Sequence, residues 1–254
     1  MRQNPTSLVR PAVAPSIWLF VSSTADIARE WMFKECLRLF PGATTDMVRL
    51  IRVDVNTEAE HKAPSTGDAT LDAATIDPGS FFPLSVGTVD LAAQLNKGNF
   101  RHLRFAPLEL MQLANPQSGS RNAPTLAHVA FLWNRTALRA FLSAQIEGVL
   151  ESAAQVRSIE AGVDIISADL QVFIVWSPGG TGTGIALACC ELTRDIATDL
   201  NLEITLSAIK LRPGAFASSA PQRLQANAYA NDMELAAAQS GKWVRAVHRE
   251  EVDE

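Results

Sequence analysis

An apolar run of strand length meets a glycine-rich turn, and a helical pattern follows at once. Val172, Phe173, Ile174, Val175 and Trp176 are apolar at five successive positions. Residues 178–186 then read Pro-Gly-Gly-Thr-Gly-Thr-Gly-Ile-Ala, and helical spacing runs over 185–200. Strand, glycine turn and helix in this order form a unit that offers bare backbone N–H groups to a phosphate. Glycine lets the chain pass close to the oxygens, and the helix start adds a partial positive charge. The hydroxyls of Thr181 and Thr183 can donate to the same oxygens.

Spacing tests which kind of turn this is. A Walker loop needs Gly-x-x-x-x-Gly-Lys-Ser/Thr. Gly179 and Gly184 have that separation, but Ile185 and Ala186 follow and no lysine is available. A dinucleotide fingerprint needs Gly-x-Gly-x-x-Gly/Ala. From Gly180 its last position is Ile185, and from Gly182 it is Leu187, so a Rossmann dehydrogenase is disfavoured.

Composition narrows the class further. The chain has 254 residues, 47% apolar and 19% charged, enough for one large α/β domain with a buried core. A net charge of −5 argues against nucleic acid or a membrane surface as partner. No apolar run reaches the about 18 residues of a spanning helix, and residues 1–16 lack the apolar core of a secretory signal. Cys36, Cys189 and Cys190 make a poor disulfide framework, and the four histidines show no ligand spacing. The expectation is a cytoplasmic protein.

Along the chain, residues 1–15 read as a mobile arm, 17–21 as a buried strand and 22–40 as a helix capped by Ser22, Ser23 or Thr24. Residues 47–55 are a second strand and 57–75 a surface insertion. Residues 81–86 are extended, 90–96 a short helix and 116–124 a polar loop. A helical stretch over 125–156 carries a suspected break at Asn134-Arg135. After the glycine unit come a strand over 203–211, a loop, a helix over 222–239 and a charged tail over 242–254. Alternating strands and helices predict a three-layer, Rossmann-like α/β domain over 16–241 with a mainly parallel sheet. The loops after Val21, Val53, Trp176 and Leu211 are then expected to meet beyond the carboxyl ends of the strands, where such folds bind ligands.

Gly179-Gly180-Thr181-Gly182-Thr183-Gly184 resembles the signature loop of the tubulin/FtsZ superfamily, Gly-Gly-Thr-Gly-Ser/Thr-Gly. Other segments resemble bacterial tubulin-like relatives in the same order. Residues 51–56 (Ile-Arg-Val-Asp-Val-Asn) match a second strand and its Asp-bearing loop. Residues 118–122 (Ser-Gly-Ser-Arg-Asn), with the apolar stretch 126–134, match the γ-phosphate loop and its helix. Residues 226–230 (Ala-Asn-Ala-Tyr-Ala) match a helix that follows the sugar-facing loop.

The resemblance implies a GTPase-type fold binding GTP or GDP with Mg²⁺, and leaves open a homo-oligomer or filament. It implies phosphate contacts at Gly179, Gly180, Thr181, Gly182, Thr183 and Gly184, with Ser22, Ser23, Gly119 and Arg121 from neighbouring loops. Arg223 is implied for the α-phosphate or ribose, Asn227 for sugar or base, and Asp54 for orienting a metal-bound water.

The departures carry equal weight. The first loop is Ser22-Ser23-Thr24-Ala25-Asp26, with no glycine where relatives are glycine-rich, and Asp26 fits best as a first-turn carboxylate complementing the helix dipole. Nothing after Gln239 is long enough for the family's central helix, and its acidic hydrolysis motif is not found. Hydrolysis would then need carboxylates from another chain. A nucleotide-binding protein and a non-catalytic scaffold that has lost nucleotide both remain open. Tyr229 is expected to be at least half-buried, Trp18 and Trp176 to be packing residues, and His128 to be a satisfied, partly buried histidine.

Overall fold

The computed structural model describes residues 12–39, 47–56, 65–85, 124–158, 164–165, 169–212 and 222–240. Strand β1 (Ala12–Val13) leads into β2 (Ser16–Val21), helix α1 (Ser23–Leu39) and β3 (Val48–Asp54). Helix α2 (Ala69–Ala73), a 3-10 turn (Pro78–Ser80) and β4 (Phe81–Pro83) precede the long helix α3 (Pro124–Ser158). Then come β5 (Asp164–Ile165), β6 (Leu170–Trp176), α4 (Gly180–Asp199), β7 (Ile204–Lys210) and α5 (Gln222–Gln239). The main sheet has the order β4-β3-β2-β6-β7 and every neighbouring pair is parallel. Strands β1 and β5 form a separate parallel pair.

Strand periodicity explains the three layers. Successive side chains point to opposite faces of a sheet. Ile17, Leu19 and Val21 join Ile51, Val53, Val172 and Ile174 in a core shared with α3 and α4. Trp18 and Phe20 point the other way and pack with Leu50, Val175 and the α1 residues Ala25, Met32 and Phe33. Strand β2 is covered on both sides, so it reads as a continuous apolar run. Edge strand β7 alternates more freely, with Ile209 exposed.

Helix α3 is continuous through Asn134, where a break was expected. The Asn134 amide donates to the Ala130 carbonyl within the helix and to the Ser85 carbonyl after β4. Its polar side chain therefore ties the helix to the sheet edge. Beyond it, Leu138, Leu142, Ile146, Val149 and Ala153 recur at helical spacing and are buried. Arg135–Asp195 (3.6 Å) and Arg139–Asp199 are ion pairs between α3 and α4.

The surface insertion expected over 57–75 is structured from Ser65 onward. Asp68 caps α2, and the Asp72 carboxylate gathers the Ser65 hydroxyl, the Thr66 N–H and Lys34 of α1. Those bonds, the Ser65 hydroxyl first, hold the Asp72 carboxyl well below the usual carboxylate range. Residues 57–64, the helix expected over 90–96, residues 1–11 of the expected arm and the expected tail lie outside the described residues, while Ala12–Val13, expected in that arm, are paired as β1.

Candidate functional site

The parallel ladder does not stop at the strand tips. Ser22 N–H donates to the Val53 carbonyl, Leu84 N–H to Asp54 and Leu211 N–H to Trp176. These bonds bring the turns after Val21, Val53 and Trp176 and the ends of β4 and β7 to one edge of the sheet, and the rest of the loop expected after Leu211 lies outside the described residues.

The glycine turn is helical from its second glycine. Gly179 is the N-cap of α4 with extended backbone, and the first helical bond runs from Thr183 N–H to the Gly179 carbonyl at 3.0 Å. The helix therefore starts about a turn earlier than the apolar spacing indicated. The N–H groups of Gly180, Thr181 and Gly182 have no intrahelical acceptor, and Gly179 has no side chain to cap them.

Two of the glycines are required by close packing. A β-carbon on Gly182 would overlap the Ser177 carbonyl oxygen, and one on Gly184 would overlap the Pro124 carbonyl oxygen. Gly182 thus seats α4 on the end of β6, and Gly184 seats it against the start of α3. His128, expected to be partly buried, is buried and reinforces the second contact, its Nδ1–H donating to the Gly184 carbonyl at 3.0 Å.

The two threonines diverge. Thr181 Oγ1 donates its single proton to Asp54 Oδ1 at 3.1 Å, so it is not a free donor for a ligand oxygen. Thr183 Oγ1 is buried and has no hydrogen-bond partner among the described residues. A buried hydroxyl in the first turn of an uncapped helix is suited to an anionic oxygen.

Ser22 closes the opposite side. It sits at φ 106°, a conformation that favours glycine, although it is a serine. Its Oγ shares a 2.9 Å hydrogen bond with Ser177 Oγ and accepts from Ala25 N–H, capping α1. The starts of two long helices, α1 and α4, are therefore joined through one pair of hydroxyls. Ser23, the next residue, opens α1 and is half-buried.

Behind the turns lies a row of buried charges that sequence reasoning missed. Arg29 Nε pairs with Asp26 Oδ1 at 2.6 Å, Asp26 Oδ2 with Arg52 at 3.3 Å, and Arg52 with Asp54 Oδ2 at 3.2 Å. Arg29 also donates to Ser80 Oγ, and the Arg52 guanidinium stands 4.5 Å over the Phe81 ring. Burial lowers the Arg29 pKa against the pull of Asp26 and Glu30. Asp26 is therefore a buried partner of two arginines, where a carboxylate complementing the helix dipole was expected. The signals in the chain were Arg52, a cation among the apolar residues of β3, and the i,i+3 spacing of Asp26 and Arg29 on α1.

Asp54, given a metal role above, has both of its carboxylate oxygens engaged. One oxygen accepts from Thr181 and the other is paired with a guanidinium. No group of three His, Cys, Asp or Glu side chains able to hold a metal occurs among the described residues.

Helix α5 crosses the tips of β6 and β7. Trp176 Nε1 donates to Asn231 Oδ1 at 2.8 Å, and Lys210 Nζ reaches the Ala228 carbonyl and Asp232. Trp176 is thus more than packing, while Trp18 stacks on Phe173 at 3.9 Å. Asn227, one turn before Asn231, is buried. Tyr229, expected to be at least half-buried, is 69% exposed, because it lies off the face set by Asn227 and Asn231. Gly119 and Arg121 lie outside the described residues, as does the side chain of Arg223.

The family model described as "Tubulin like" matches residues 31–253. The chain belongs to the tubulin-like family. No curated protein and no solved structure matches it. The match begins inside α1, so β2 and Ser22 lie ahead of the matched segment of this tubulin-like chain. No helix among the described residues is long and apolar enough to cross a membrane.

Proposed function

We propose that this tubulin-like domain binds a guanine nucleotide, GTP or GDP, at the polar edge of its sheet. The observation that carries the reading is the start of α4. Three N–H groups without intrahelical acceptors and the Thr183 hydroxyl, without a partner among the described residues, lie at the carboxyl end of β6. The phosphates would rest on Gly179–Thr183, with the helix dipole compensating part of their charge. Asn227, buried over the same edge, is suited to the sugar or base through its amide.

Turnover by the isolated chain is slow in this reading. Asp26 and Asp54 are both ion-paired with Arg52, which leaves neither free to polarise an attacking water. Mg²⁺ would arrive with the nucleotide, held by phosphate oxygens and water. Assembly of several copies, with acidic groups supplied by a neighbour, is the corresponding route to hydrolysis.

Thermal unfolding with and without millimolar GTP, GDP or ATP tests the binding. A bound nucleotide raises the midpoint as ligand concentration exceeds Kd. The same midpoint with all three sinks the proposal.

A second reading has its own support. The Ser22–Ser177 hydroxyl bond and the non-glycine Ser22 backbone close the first loop against the residue ahead of the glycine turn. A scaffold that keeps the fold and has lost nucleotide would show no shift with any of the three.

A further inference from the structure

We infer that Asp54 pins the first turn of α4 and does not ligate a cation, so the site takes a phosphate chain without a divalent ion held by protein. The second half of that statement rests on the nucleotide reading above; the first half does not.

The geometry around Asp54 leaves little for a metal. Its carboxylate is 1% exposed, with Oδ1 accepting from Thr181 Oγ1 at 3.1 Å and Oδ2 beside Arg52 at 3.2 Å. Arg52 is itself held from several sides. It pairs with Asp26 at 3.3 Å, donates to the Asn56 carbonyl at 2.9 Å and stacks over Phe81. It cannot swing away from Asp54 without abandoning Asp26. A divalent cation at Oδ2 would face this guanidinium directly.

The four charges Arg29, Asp26, Arg52 and Asp54 alternate in sign, and Glu30 adds a carboxylate 3.9 Å from Arg29 at the far end. Beside Asp54 the negative charge is met by Arg52, which also pairs with Asp26. The row ends on the Thr181 hydroxyl, and Thr181 is the second residue of α4. The chemistry suits fixing a helix start whose N–H groups must stay aligned, since a buried charged acceptor makes a strong, directional hydrogen bond. Charge on a bound phosphate would be met by those N–H groups and the helix dipole.

Three measurements on the full chain test this. Mn²⁺ titration of the nucleotide-free protein, followed by electron paramagnetic resonance, is expected to reveal no site that depends on Asp54. A Mn²⁺ signal present in the wild type and lost in Asp54→Asn overturns the inference. Thr181→Val keeps all four charges, so it covers the case in which Asp54→Asn fails to fold. It is expected to speed hydrogen exchange at the Thr183 and Gly184 amides, the first that are bonded within the helix, about tenfold, and unchanged exchange overturns the pin. Titration with a fluorescent guanosine diphosphate in Mg²⁺ and in EDTA is expected to give Kd values within about threefold of each other. Binding weaker by a decade or more in EDTA overturns the metal-free site and spares the nucleotide reading. Binding in neither condition removes the nucleotide reading together with the metal-free site, and the Mn²⁺ and exchange results still decide the pin.

Discussion

Ser22 Oγ and Ser177 Oγ meet at 2.9 Å across 155 positions of the chain, joining the tips of adjacent strands β2 and β6. The bond is made from a backbone that favours glycine, with Ser22 at φ 106°. Holding a non-glycine residue there costs about 1–2 kcal/mol. Losing the hydroxyl bond and the cap on Ala25 costs a similar amount, about 1 kcal/mol each. Ser22→Gly is therefore expected to leave stability within about 1 kcal/mol of wild type. Ser22→Val, β-branched and unable to cap, is expected to lose at least about 2 kcal/mol. Urea unfolding of both variants checks the pair, and equal losses would contradict the strain argument.

Gly182→Ala is expected to destabilise the protein in the absence of any ligand. The added methyl meets the Ser177 carbonyl oxygen, a backbone atom that cannot yield without moving the end of β6. Overpacking of this kind costs about 1–3 kcal/mol, or more where backbone must shift. A lowered unfolding midpoint in plain buffer is the measurement. For that reason a bulky residue at Gly182 does not separate nucleotide binding from a scaffold role.

Thr183 and Thr181 should separate where Gly182 cannot. Thr183→Val removes a buried hydroxyl without a described partner, so stability should hold or rise slightly. Guanine nucleotide affinity should fall by about 3–10-fold, the worth of one hydrogen bond. Thr181→Val takes the donor away from buried Asp54 and should cost about 1–3 kcal/mol of stability. Paired unfolding and nucleotide titrations read both effects, and the opposite assignment would exchange the roles of the two hydroxyls.

Asn231→Leu is expected to strand the Trp176 indole N–H in the core, where Trp176 is 1% exposed and Asn231 0%. An unsatisfied buried donor costs about 1–3 kcal/mol. Adding Trp176→Phe removes the orphan, so the double variant should lose less than the sum of the two single losses. A double-mutant cycle by urea unfolding checks this; additive losses would place the value of the contact in packing alone.

Cys190 gives a pH signature. Burial pushes its thiol up to about 11, above the unfolded value of 9.0. Between those values the folded chain keeps a proton that the unfolded chain has released. This contribution is therefore intact below pH 9.0 and is lost as pH rises towards 11, at a slope of up to about 1.4 kcal/mol per unit. Comparing wild type with Cys190→Ala across that range isolates it from other groups, and identical slopes would refute it.

Much of the fold was legible because its signals are local. Strand β2, helix α1, strands β3 and β6, and α5 over 222–239 all lie within a residue or two of their apolar or helical patterns. The expected break in α3 misread Asn134, whose partner Ser85 lies 49 positions away. The pairing of Asp54 with Arg52, two residues along the same strand, was not foreseen. Asp26 was weighed against the dipole of its own helix, although Arg52 of β3 claims one of its oxygens.

By itself the sequence determined the unit of apolar strand, glycine turn and helix, the parallel α/β class, and membership of the tubulin-like family. Those follow from side-chain periodicity and backbone freedom, which act over neighbouring residues. Only tertiary structure decided what each polar group in the turns faces. Thr181 went to Asp54, Ser22 to Ser177, and Asp26 to arginines of two elements. A buried hydrogen bond depends on which strand tips lie side by side. In a parallel sheet that order is set by crossovers tens of residues long, beyond the reach of any local pattern.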